Sequence, residues 1–245
     1  MSGGVAAIVP AAGAGRRFGG SAKKTFVVLQ GAPLLVHALN ALQASPAVRW
    51  IIVVVRAGQQ AQVTNLVKRY RLTKVMAPCL GGDSRADSVA RGFAVAPAEA
   101  QWILVHDGVR PCLRRALIDE AIRAARRHGA VACGLPAMVT VKAVDDRRAV
   151  RVTLDREHLW FVQTPQVFRR DWLAQALLQA DHHLEQFPDD AAIMEAAGFP
   201  IRMIPGDPLN LKVTTREDLL LAEAIFQHLP VNAHAHRYRL RRSSL

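Results

Sequence analysis

Three short stretches of this chain are apolar from end to end: residues 5–9 (VAAIV), 50–55 (WIIVVV) and 102–105 (WILV). None alternates with polar residues, so each needs cover on both faces, as strands inside a helix-clad parallel sheet receive. Helical patterns lie between them. Residues 34–42 read as one helix and residues 59–69 as a polar one. Ala86, Val89, Ala90, Phe93 and Ala94 repeat at helical intervals within a third helix over 83–96. Leu117, Ile118, Ala121, Ile122 and Ala125 mark a fourth, whose opposite side carries Arg123, Arg126 and Arg127 as a solvated face. Short strands at 74–77, 131–135 and 201–204, a β-rich segment at 161–168, and helices near 172–180 and 190–197 continue the series. Thr215 with Asp218 forms a capping box ahead of a last helix. This alternation predicts an α/β fold, a single Rossmann-like domain with a mostly parallel sheet and right-handed crossovers. Residues 139–154 break the rhythm. Two β-rich segments flank Asp145, Asp146, Arg147 and Arg148, which predicts a β-hairpin projecting from the domain.

The 245 residues suit one such domain over 1–229, followed by a tail at 230–245 whose Arg237, Arg239, Arg241 and Arg242 meet no acid and which is expected to be disordered. The formal charge of +12 suits small phosphorylated substrates or nucleic acid. Cys79, Cys112 and Cys133 form no C-x-x-C pair, so neither a disulfide framework nor a zinc site is expected. The first arginines follow the N-terminal apolar run, the reverse of a signal peptide's order, and no apolar run approaches the roughly 18 residues of a membrane span. The expectation is a reduced, cytoplasmic protein that binds no membrane.

The run at residues 5–9 passes directly into PAAGAGRRFGGSAKK, with no carboxylate before Lys24. Gly13 and Gly15 let the backbone turn its N–H groups toward an anion, and Arg16, Arg17, Lys23 and Lys24 supply countercharge. A dinucleotide fingerprint fails at Phe18, where it needs glycine, and strand two ends in Arg56 rather than an acid, which leaves only an NADP-like reading. A P-loop fails at Ser21, where lysine is required. Taken alone, the stretch fits a triphosphate site or an ordinary strand-to-helix turn with solvated cations. Asp107 at the end of a buried strand is placed to bind a ligand or order Mg²⁺, or to cap a helix; Asp83 reads as a nucleotide contact or an N-cap. His106 reads as a satisfied histidine at a strand end.

Six blocks, VPAAGAGRR, GGDSRADSV, VHDGVRP, VTVKAV, LDREHLWFVQTPQVF and NLKVTTREDL, stand in this order over roughly residues 5–228. Together they resemble the 2-C-methyl-D-erythritol 4-phosphate cytidylyltransferases of the non-mevalonate isoprenoid pathway. The resemblance implies a nucleotidyltransferase fold and the reaction of CTP with methylerythritol phosphate to give CDP-methylerythritol and pyrophosphate. It also implies Mg²⁺ and a homodimer joined through an arm at about 139–156. By matching position, Arg17 and Lys24 would hold the triphosphate and stabilise the pentacoordinate α-phosphorus, with Lys212 as a third cation. Ala11, Ala12 and Gly13 would line the nucleotide loop, and Gly82, Asp83 and Ser88 would read the cytosine and its ribose. Asp107 would contact the polyol near the metal and phosphates. Arg110, Thr140, Arg156 and Thr164 would bind methylerythritol phosphate, some of them across the dimer.

The chain departs from the family pattern at several places. Lys23 and Thr25 flank Lys24 where proline and glutamine are usual, Val139 replaces an aspartate, and Ala191 replaces a glutamate beside Asp190. Gly108 and Val109 stand for two alanines, a pattern compatible with relatives that use ribitol 5-phosphate, so that acceptor is the alternative. The alternative from another class is a non-catalytic nucleic-acid-binding module. Against it stand an aromatic content of only 6% and the absence of any recognisable nucleic-acid motif.

Overall fold

The computed structural model describes residues 3–13, 18, 24–180 and 183–228. Gly15, Arg16, Arg17, Gly20, Ser21 and Lys23 of the glycine loop, and the basic tail, lie outside the described residues. In chain order the elements are β1 (Gly4–Pro10), β2 (Val28–Leu29), β3 (Ala32–Pro33), α1 (Leu34–Ala44), β4 (Val48–Val55), α2 (Gln60–Tyr70), β5 (Cys79–Leu80), α3 (Arg85–Ala94) and β6 (Ala100–Val105). They continue with α4 (Arg115–His128), β7 (Ala130–Pro136), β8 (Val141–Val144), β9 (Val150–Leu154), β10 (Trp160–Arg169), α5 (Arg170–Ala180), α6 (Asp190–Ala196), β11 (Arg202–Pro205) and α7 (Arg216–His228).

Seven strands form one sheet in the order β11-β7-β10-β6-β1-β4-β5. Every neighbouring pair is parallel except the two made by β10, which runs against both β6 and β7. The expected mostly parallel α/β sheet is therefore present. The apolar runs divide their side chains between two cores, as cover on both faces requires. Val5, Ala7 and Val9 of β1 join Ile51, Val53 and Val55 of β4 under α1 and α4. Ala6 and Ile8 join Ile52, Val54, Ile103 and Val105 under α3, α5 and α6. A smaller cluster of Phe18, Leu29, Leu34, Cys112, Val213 and Ala222 seats α7.

Local differences from the sequence reading have physical causes. Residues 74–77 make a single bridge, Ile51 to Val75, and the paired strand comes later at β5, because Pro78 interrupts the segment with no N–H to give. Helix α3 begins at Arg85, not Asp83, since the Ser84 side chain accepts from Asp87 N–H and caps it. The capping box at α7 forms as expected: Thr215 N–H donates to Asp218 Oδ2 at 2.8 Å, and Asp218 N–H to Thr215 Oγ1 at 3.4 Å. β8 and β9 pair antiparallel as a separate two-stranded sheet, so the expected hairpin forms.

Helix α4 ends at Gly129, with φ of 85°, whose N–H donates to Ala125 O at 2.7 Å. A Cβ there would collide with the edge of the Trp172 ring, itself stacked on Phe199 at 5.1 Å between centroids. Gly58, with φ of 80°, faces open space. Gly129→Ala is expected to lower stability by about 2–4 kcal/mol in urea unfolding, from backbone strain plus overpacking. Gly58→Ala is expected to lose only about 1 kcal/mol, from backbone strain. Equal losses would show that the Trp172 contact contributes nothing.

Candidate active site

The chain leaves β1 for β4 on one side and reaches β6 on the other, so a crevice opens beyond their carboxyl ends, where open α/β sheets bind ligands. A cavity of about 590 Å³ occupies it. Its wall from β1 is Pro10, Ala11, Ala12 and Gly13, and its wall from the start of α3 is Gly82, Asp83, Ser84, Arg85 and Ser88. Lys24 and Thr25, Arg56, Asp107, Val109 and Lys212 complete the lining. The structure thus brings together nine of the sequence-predicted residues: Ala11, Ala12, Gly13, Lys24, Gly82, Asp83, Ser88, Asp107 and Lys212.

Each wall is fixed by local bonds. Ser88 Oγ accepts from Gly82 N–H at 3.2 Å and donates to Ser84 O at 2.9 Å, while Asp87 Oδ2 accepts from Asp83 N–H at 2.9 Å. Asp83 itself is exposed at the mouth and caps nothing. The loop carrying Lys212 is held by several bonds to its surroundings. Gly206 N–H donates to Gly134 O, Asp207 N–H to Gln163 Oε1, Asn210 Nδ2 to Thr164 O, and Val213 N–H to Val109 O.

Asp107, only 5% exposed, is the centre of the charge network. Its Oδ1 lies 3.2 Å from Arg85 Nε, and its Oδ2 lies 2.9 Å from Lys212 Nζ and 3.4 Å from Arg110 Nε. Burial alone would push this carboxyl up, but Arg85, Lys212 and Arg110 outweigh it and hold the group ionised, well below the usual carboxylate range. Arg85 also donates from Nη1 to Asp190 Oδ2 at 2.9 Å. Neither Arg85 nor Asp190 was assigned a role from sequence. Arg85 stands inside the quoted block GGDSRADSV, so the block held the signal; Asp190 sits 105 residues away and entered only as the neighbour of Ala191.

Because β10 is antiparallel to β6, with Gln166 opposite Val105, Thr164 comes beside Asp107. Thr164 Oγ1 accepts from Asp107 N–H at 3.1 Å and lies 3.0 Å from His106 Nδ1. Burial pushes the His106 imidazole down to about 4, so it is neutral. The Thr164 hydroxyl then donates to Nδ1, leaving Nε2–H directed to Arg110 O at 3.5 Å. His106 is thus a satisfied histidine outside the cavity lining, as read from the sequence.

Arg110 is buried beneath the cleft, with Nη1 donating to Asn210 O at 2.8 Å. Thr140 and Arg156 are exposed at the base of the hairpin, Arg156 Nη1 donating to Met138 O at 2.7 Å, and neither lines the cavity. Arg17 lies outside the described residues.

A family profile described as 2-C-methyl-D-erythritol 4-phosphate cytidylyltransferase matches residues 5–228. Enzymes of that name from Desulforamulus reducens and Syntrophus aciditrophicus are 39% and 40% identical, over 92% and 91% of this chain and 97% and 96% of theirs. The crystal structure of the enzyme of that name from Thermus thermophilus is 30% identical with a TM-score of 0.73, over 93% of this chain and all of that one. A 4-diphosphocytidyl-2C-methyl-D-erythritol synthase from Anaerococcus prevotii superposes at a TM-score of 0.81 with 25% identity, over 93% and 97%.

The buried histidine sets a pH dependence. Its folded pKa of about 4 lies below the unfolded 6.5, so the unfolded chain binds the extra proton between these values. Its contribution is therefore complete above pH 6.5 and is lost as pH falls through that window. Denaturant unfolding should show about 2 kcal/mol lost from this group between pH 7.5 and 5. His37, also lowered by burial, adds in the same direction. His106→Asn should flatten the slope; an unchanged slope would refute the assignment.

Proposed function

The chain belongs to the 2-C-methyl-D-erythritol 4-phosphate cytidylyltransferase family, and on that premise we propose that it transfers the cytidylyl group of CTP to 2-C-methyl-D-erythritol 4-phosphate, releasing pyrophosphate and forming CDP-methylerythritol in isoprenoid biosynthesis. The supporting observation is the cleft itself, in which a buried Asp107 gathers Arg85, Arg110 and Lys212 and whose lining also holds Ala11, Ala12, Gly13 and Lys24.

The chemistry asks for little more than such a cleft. A phosphate monoester has a second pKa of about 6, so the attacking phosphate is already mostly dianionic at neutral pH and needs no general base. The obstacle is bringing it to a second polyanion, which fixed cations relieve. In this reading Arg17 and Lys24 hold the triphosphate and Lys212 stands by the α-phosphorus. They stabilise the charge that develops as the acceptor phosphate attacks in line and pyrophosphate leaves. Ala11, Ala12 and Gly13 cradle the nucleotide, and Gly82, Asp83 and Ser88 read the base and ribose. Asp107 faces the polyol, with Arg110 and Thr164 behind it.

Thr140 and Arg156 reach the acceptor from a second subunit through the hairpin, so the enzyme works as a homodimer. Support comes from the apolar surface the arm leaves open at Val139, Val144, Val150, Val152 and Phe161. A cytoplasmic location is supported by three free thiols; no helix among the described residues is long and apolar enough to cross a membrane. Among the described residues no group of three or more His, Cys, Asp or Glu side chains could hold a metal. Asp107 and Asp83 are the carboxylates that line the cleft, and they would lie beside a Mg²⁺ held mostly by phosphates and water. The ion, when bound, neutralises phosphate charge.

Pyrophosphate release should be seen with CTP and not with ATP, GTP or UTP, and with methylerythritol phosphate in preference to ribitol 5-phosphate. Turnover confined to ribitol 5-phosphate would replace the acceptor. Lys24→Ala and Arg17→Ala should each lower kcat by about two to four orders of magnitude, as loss of a transition-state donor does; unaltered rates would remove both from the mechanism. In sedimentation the chain should run as a dimer, and the double change Val150→Asp with Val152→Asp should shift it to monomer. A monomeric wild type would exclude the shared-arm arrangement.

A further inference from the structure

The transfer as described assigns Arg85 only to the support of Asp107 and leaves Asp190 without a part. Yet Asp107 already has Lys212 and Arg110 on Oδ2, more positive charge than one carboxylate needs. Arg85 lines the cavity with its side chain 26% exposed. Its Nε is committed to Asp107 Oδ1 and its Nη1 to Asp190 Oδ2, and neither bond uses Nη2. Asp190 is fully buried, and among the described residues its Oδ1 has no hydrogen-bond partner. A buried carboxylate with one oxygen unsatisfied is costly, and such groups in folded proteins need a reason.

The elements around Asp190 hold it in place. It is the first residue of α6, and Asp189 caps that helix by accepting from Ala192 N–H at 2.9 Å. Gln166 of β10 staples the same end, donating from Nε2 to Asp189 Oδ2 and accepting from Ala191 N–H at Oε1. The carboxylate that grips Arg85 from behind is thus itself anchored to the central sheet. A planar guanidinium pinned at two of its three nitrogens from separate elements has one orientation left, whereas a lysine offers a single point charge and could not make both contacts from fixed positions.

We propose that Arg85 contacts an anionic oxygen of the phosphorylated substrates through Nη2, and that Asp190 is the positioning residue that aims it. The inference rests on the cytidylyltransferase reading above.

The test measures CTP-dependent pyrophosphate release with methylerythritol phosphate for the wild type, Arg85→Ala, Arg85→Lys, Asp190→Asn and the double variant Arg85→Ala with Asp190→Asn. Circular dichroism and thermal unfolding check that each is folded. Arg85→Ala should lose about 100-fold in kcat, the scale of one lost transition-state donor. Millimolar guanidinium chloride should restore part of that loss, and sodium chloride at equal ionic strength should not. Asp190→Asn should lose about 10-fold, mostly in kcat and not in KM for CTP. The double variant should be no slower than Arg85→Ala, because a residue acting only through Arg85 has nothing to act on once it is gone. Wild-type kinetics in Asp190→Asn, additive losses in the double variant, or a folded Arg85→Ala that guanidinium does not revive would overturn the proposal. If Arg85→Ala does not fold, Arg85→Lys takes its place in the cycle without the guanidinium arm, and full activity in it would overturn the proposal equally. An inactive wild type would instead strike the functional reading and take this inference with it.

Discussion

The carboxylate of Asp107 is enclosed by protein, and an ionised group so placed persists only where cations come to meet it. Three do, each delivered by a different part of the chain: Arg85 from the first turn of α3, Arg110 from the turn after β6, and Lys212 from the stapled loop before α7. The dependence is mutual. Without the anion the three cations would repel one another across a few ångströms; with it they gather and still exceed it in charge. That excess makes the end of β6 attractive to a polyanion, while the cost of burying charge is met within the protein.

The framework was readable because its code is local. Uninterrupted apolar runs at β1, β4 and β6 announce strands covered on both sides, and their alternate residues do enter separate cores. The capping box at Thr215 and Asp218 and the hairpin around residues 145–148 are likewise written within a few residues. The sense of β10 was not written locally, since an apolar strand carries no mark of whether its neighbour runs with or against it.

The site was legible in proportion to how much of it lies in contiguous blocks. The first residues of the glycine loop, the start of α3 and Asp107 stand in contiguous blocks, and the wall of one cavity includes them together with Lys24 and Lys212. The link between Arg85 and Asp190 closes over 105 residues of chain and depends on which helix packs beside which. No spacing in the sequence expresses that. Arg110 shows the converse: its block marked it, but only the fold reveals that it lies under Asp107 with its outer nitrogen on the Asn210 carbonyl.

The reversed strand β10 links two parts of the molecule that would otherwise be remote. It takes up the chain as it returns from the exposed hairpin, brings Thr164 against Asp107, and buries Phe168 in the core just before its end. A parallel strand in that slot would enter from the opposite edge and put the same stretch at the wrong end of the sheet. One continuous piece of backbone thus connects the exposed hairpin to the floor of the cleft. An inserted or deleted residue in that strand would shift the floor and the hairpin together.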